Sequence, residues 1–218
     1  MMTRNDSSPM TLLNGKGIIM PNWCNNTLNV SGDKKSIAAF LTAARGRHAG
    51  YNDPYRGNGG DGTWPAHDKV RVRALVKNPA PVYGDELDFC MNALYPVPLD
   101  YRRFPFDDNQ ARKLGEAVGE PRKYGGYRWQ TDHWGSKWDV NGELLESHDT
   151  FLQYQFDSAW SPPISFFEKI SKDFPNLTFE LKYYEGGMGF AGRSTFSGED
   201  WDEVELPIED FIEDWGEE

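Results

Sequence analysis

Trp129, His133, Trp134, Lys137, Trp138 and Asp139 fall in one short stretch of the chain, and Trp160 follows soon after. Indole faces stack on bases or hold cations, an ammonium meets phosphate, and an imidazole beside a carboxylate moves protons. We therefore take Trp134, Lys137, Trp138, Asp139 and Trp160 as candidate ligand or partner contacts. The same residues also suit a structural purpose, because indoles and lysine stems pin down a segment that lacks regular structure. The stretch has no nucleophile ordered with a His and an acid, so it carries no catalytic mechanism and no catalytic residue is assigned.

Other chemistries lack their patterns. A metal site could be assembled from Cys24, Cys90, His67, His133 or His148, yet no pair has C-x-x-C or H-x-x-x-H spacing, so no metal site is expected. The glycine-rich run Gly57 to Gly62 has no following Lys to cradle phosphate, and residues 49–68 miss the register of a calcium loop. There is no G-x-S-x-G elbow, and no cofactor is implied. Lys69, Arg71, Arg73, Lys77, Arg102, Arg103, Arg122, Lys123 and Arg128 could line a basic groove for nucleic acid. Against that, residues 1–196 hold 23 acids and 23 bases, and no strand carries the aromatic pattern of an RNA-binding sheet.

The formal net charge of -11 belongs to the C-terminus. From Ser197 to Glu218 there are eleven acids and no Lys or Arg, which favours a partner with a basic surface over a nucleic acid. Within this tail Pro207 suits a first helical turn, Ile208, Phe211, Ile212 and Trp215 recur at helical spacing, and Glu209, Asp210, Glu213 and Asp214 cover the other side. The tail is thus expected as an acidic amphipathic helix that docks on its own domain or on a partner.

The elements that must position these residues are readable in part. Cys24 to Val30 alternates like a strand, and a helix follows with Ile37, Phe40, Leu41 and Ala44 on one face. Lys69 to Lys77 alternates Val and Arg as a strand, Asp85 to Ala93 reads as a short helix, and Gln110 to Val118 as another. Phe151 to Phe156 is a strand, Ser161 and Pro162 open a helix through Phe174, and Leu177 to Tyr183 and Met188 to Phe196 form a hairpin. A strand-helix unit, an insertion over about 49–149 and a strand-helix-strand-strand unit imply an α+β, ferredoxin-like antiparallel sheet with two helices on one face. The expected division is a disordered or non-native extension over 1–19, one domain over 20–198, and the acidic tail over 199–218. Two cysteines and no apolar run of membrane-spanning length fit a cytoplasmic protein with no membrane association.

Four motifs in order carry a family resemblance: Met20-Pro21-Asn22-Trp23-Cys24-Asn25-Asn26, Tyr95-Pro96-Val97-Pro98, Trp134-Gly135-Ser136-Lys137-Trp138-Asp139 and Ala159-Trp160-Ser161-Pro162-Pro163. Together they resemble the YubB-type proteins of bacteriophages, prophages and plasmids, over Met20 to about Gly198. The resemblance implies a ferredoxin-like domain, a bacterial cytoplasm and a mobile-element setting, with no general activity attached. The expected function is a non-catalytic accessory protein that binds a host or phage macromolecule in counter-defence or host takeover. A nucleotide or nucleic-acid module using the Trp and Lys surface is the alternative, and a phosphoesterase-like enzyme stands third.

Overall fold

The computed structural model describes residues 22–52 and 76–212. Strand β1 (Trp23–Gly32) buries Cys24, Asn26, Leu28 and Val30 and turns the residues between them outward, the two-residue period of a strand with one covered face. Helix α1 (Lys34–Ala44) starts at Asp33, whose carboxylate accepts from the N–H groups of Lys35 and Ser36. Its buried stripe is Ile37, Phe40 and Ala44.

The chain then leaves the sheet. Strands β2 (Gly46–His48) and β3 (Tyr83–Leu87) pair as a small antiparallel ribbon, followed by helices α2 (Met91–Leu94), α3 (Leu99–Arg102), α4 (Asp108–Val118) and α5 (Gly126–Trp134). It returns as the hairpin β4 (Glu143–His148) and β5 (Phe151–Ala159), then α6 (Ile164–Asp173), β6 (Leu177–Glu185), β7 (Phe190–Ser197), β8 (Asp200–Leu206) and α7 (Glu209–Ile212). The six-stranded sheet is antiparallel throughout, in the order β4-β5-β1-β6-β7-β8. Taken in chain order, β1-α1-β4-β5-α6-β6 is the split β-α-β arrangement, with β7 and β8 added as a meander on one edge. Phe40 of α1 and Phe167 of α6 both pack on Phe179 of β6, at 5.3 and 6.2 Å between ring centroids, so the two helices cover the same face.

The structure corrects several expectations. The insertion ends before β4, at 142 and not 149, because Glu143–His148 pairs with β5. The expected helix over Asp85–Ala93 divides into β3, held by its pairing with β2, and the one-turn α2. Ser161 does not cap α6: its hydroxyl donates to Gly135 O at 3.0 Å, and the helix begins after Pro163 without a side-chain cap. The domain does not end at 198, since Asp200–Leu206 is paired with β7 along its whole length. Of the strand expected over Lys69–Lys77, only Val76 and Lys77 lie within the described residues, and both are helical. The extension over 1–19, and Glu213, Asp214 and Trp215 of the tail, lie outside the described residues. No helix among the described residues is long and apolar enough to cross a membrane.

Candidate functional site

Trp134 closes α5 and is fully buried, its indole N–H donating to Tyr95 O at 3.0 Å and its ring edge-on to Trp129 at 5.7 Å. It is a core anchor and not a contact surface. Gly135, at φ 74°, caps the helix in the left-handed region where a side chain would be strained. Ser136 Oγ then donates to Trp138 O at 3.0 Å and fixes the turn that presents Lys137 and Trp138. Lys137 Nζ lies 4.1 Å from the Trp138 ring centroid, a cation–π contact, and burial lowers the pKa of its ammonium.

Trp138 in turn packs on Trp23, at 5.8 Å, a residue the sequence motif contained but the choice of candidates passed over. Trp23 pairs with Ala159 at the end of β5, and the next residue, Trp160, donates its N–H to Asn22 O at 2.9 Å. Trp23 is 49% exposed and Trp160 42% exposed. The β6–β7 turn reaches the same end of the sheet. A side chain on its Gly187 would meet Asn22 Nδ2 at 2.8 Å, and the neighbouring Met188 is 70% exposed. Large apolar side chains thus gather at one corner of the sheet.

Among the described residues Trp160 alone of the non-glycine residues has a positive φ, 74°. A bulky residue in that conformation costs about 1–3 kcal/mol and persists only when its surroundings over-determine it. Here they do: Ser158 Oγ donates to Ser161 O at 2.7 Å across the turn, while Ser161 Oγ holds Gly135 O, so the bend is stapled on both sides.

Asp139, the last of the sequence candidates in this stretch, points the other way, into the joint between the insertion and the core. Its side chain is 5% exposed and accepts from the N–H groups of Met91 at 2.7 Å and Asn92 at 3.3 Å, capping α2, which has no cap of its own. It also lies 3.1 Å from Nδ1 of His48, whose Nε2 is 2.6 Å from Asn141 Oδ1. Burial alone would lower the His48 pKa, but the Asp139 carboxylate and the Asn141 carbonyl outweigh it, and His48 titrates above its ordinary 6.5. Asp139 lies against Nδ1 as an ion-pair contact and Asn141 Oδ1 against Nε2, so both ring nitrogens face protein oxygens and neither is presented to a substrate. The pair is a clamp rather than a general base.

Three basic residues of the insertion, Arg102, Arg103 and Arg122, are engaged within it. Arg102 donates to the carbonyls of Gly50 and Ala80, Arg103 donates to Val76 O, and Arg122 pairs with Asp100 while covering the Phe104 ring. Among the described residues no three His, Cys, Asp or Glu side chains converge on one point. Cys24 and Cys90 are free and buried, and burial pushes both thiols up to about 12.

Of the tail helix, Glu209–Ile212 lies within the described residues. Phe211 of α7 packs on Tyr184 at 5.5 Å, on the sheet face opposite α1 and α6. Ile208 and Phe211 are partly buried there, whereas Glu209 and Asp210 remain exposed.

Residues 133–218 match the family model described as the ferredoxin-like domain in Api92-like protein. The matched stretch holds β4 to α7 and every sequence candidate from Trp134 to Trp160, while β1 and α1 complete the sheet from outside it. The crystal structure of protein api92 from Yersinia pseudotuberculosis is similar with a TM-score of 0.46 and 12% identity, over 86% of this chain and 98% of that one. No curated protein matches the chain.

Of the five sequence candidates, the structure brings Lys137 and Trp138 together and places Trp160 exposed at the end of β5, whereas Trp134 and Asp139 face the interior. Trp23, His48 and Asn141 were missed. Trp23 had a signal, its place in the first motif. His48 had none, since its partners lie far along the chain.

Proposed function

We propose that the chain is a non-catalytic binding protein whose tryptophan corner, Trp23, Trp138 and Trp160 with Lys137, seats a protein partner. The observation that carries this reading is Trp160, a large indole held exposed in a strained left-handed backbone. Trp is enriched among the few residues that dominate protein interfaces, and stored strain concentrates at working sites. The mobile-element setting, and with it a counter-defence or host-takeover role, rests on the motif resemblance alone. The nucleic-acid alternative is weaker, because Arg102, Arg103 and Arg122 are engaged inside the insertion.

Replacement of Trp160 by Gly separates binding from stability. Gly adopts φ 74° without strain, so the melting temperature should hold or rise, while capture of the partner from expressing bacteria should fall at least about tenfold. Undiminished capture by W160G would remove the corner from the interface. The Lys137→Ala change should cost little stability, about 1 kcal/mol for a partly buried cation–π contact, measured by urea unfolding.

A further inference from the structure

The two edges of the sheet are built differently. β4 shifts register between Leu144 and Glu146, a bulge of the kind that spoils an edge for further pairing. β8 keeps unbroken register with β7 from Ser197↔Asp200 to Ala191↔Leu206, and six of its seven residues are exposed. The pair Ser197↔Asp200 closes a two-residue turn with Gly198 at φ 60°, which makes it a hydrogen-bonded pair. Alternation from there aims the main-chain N–H and C=O groups of Trp201, Glu203 and Glu205 away from β7, at the open edge.

Acids flank that row on both faces. Asp200 and Asp202 lie on the face away from α6, and Glu203 and Glu205 on the face shared with Trp201, which stacks on Phe196. A second copy of β8 would set acid against acid, which disfavours self-pairing. An extended segment rich in Lys and Arg meets opposite charge on both faces and main-chain groups that no described residue engages.

We infer that β8 is a docking edge for an extended basic polypeptide segment, which adds as a seventh strand. This deepens the reading of the chain as a protein-binding module with a basic partner, and it assigns that partner's basic segment to an edge separate from the tryptophan corner.

The test titrates the full chain with a capped octapeptide of Lys and Val carrying lysine on each face, followed by backbone amide NMR. Strand addition should slow exchange of the Trp201, Glu203 and Glu205 amides, and N-methylation of alternate peptide residues should abolish binding. The combined change Asp200→Asn, Asp202→Asn and Glu205→Gln should weaken binding at least tenfold; it leaves Glu203, which accepts from Tyr183 Oη, in place. No binding, equal binding of the N-methylated peptide, or unprotected β8 amides would each overturn the proposal. None of those results bears on Trp160, whose glycine variant is read by partner capture.

Discussion

Truncation of Phe89 to Ala should remove about 3–5 kcal/mol of folding free energy, the cost of deleting a buried aromatic ring that its surroundings cannot refill. Phe89 belongs to the insertion, but its ring lies in the main core. It stacks on Phe156 at 5.3 Å and lies parallel to Phe167 at 6.3 Å, with Tyr154 at 5.5 Å and Phe166 edge-on at 6.1 Å. Its backbone also exchanges two hydrogen bonds with Gly142, where a side chain would meet Phe89 Cβ at 2.6 Å. The insertion therefore completes the core between α6 and the sheet, and cannot be cut away to leave a folded domain. Chemical denaturation of F89A with a loss under about 1 kcal/mol would contradict this, since an exposed change such as Leu99→Ala should stay within about 0.5 kcal/mol.

Asp139→Asn should cost nearly as much, about 3–5 kcal/mol, because removing one partner of a buried charged pair strands the other. The effect should depend on pH. His48 has its folded pKa raised above 6.5, so the stability it contributes is complete below 6.5 and is lost as pH rises through the folded value. The deficit of D139N should accordingly be largest in mild acid and shrink above the folded pKa, leaving only the cap contact that an amide nitrogen cannot accept. Urea unfolding of wild type, D139N and His48→Gln across this range measures it. Parallel profiles for wild type and the His48 variant would show that the imidazolium contributes nothing.

Elements buried on one face were legible in the sequence. β1, β5, α6 and β6 carry regular apolar periods, because one side of each must leave water. The edge strands were not. β4 has its period broken by a bulge, and β8 carries charge on both sides because an edge strand need not hide either, so Asp200–Leu206 read as an acidic tail. Side-chain roles depended on contacts that no spacing encodes. Trp134 and Trp160 are the same residue type in adjacent motifs, yet one is sealed beneath Tyr95 and the other stands in solvent. The joint between the insertion and the core pairs His48 with Asp139, a meeting set by the returning chain and invisible to local patterns.

The order of strands also constrains how the chain is made. β1 is central, with β5 on one side and β6 on the other, and Val30 pairs with Leu152 and Phe179. At ribosomal rates of roughly 5–20 residues per second, the apolar face formed by Leu28 and Val30 waits on the order of ten seconds before either partner strand emerges. The nascent chain meanwhile exposes an unpaired strand on both sides, open to chaperones and to mispairing, whereas the β6-β7-β8 meander can close on itself as soon as it appears.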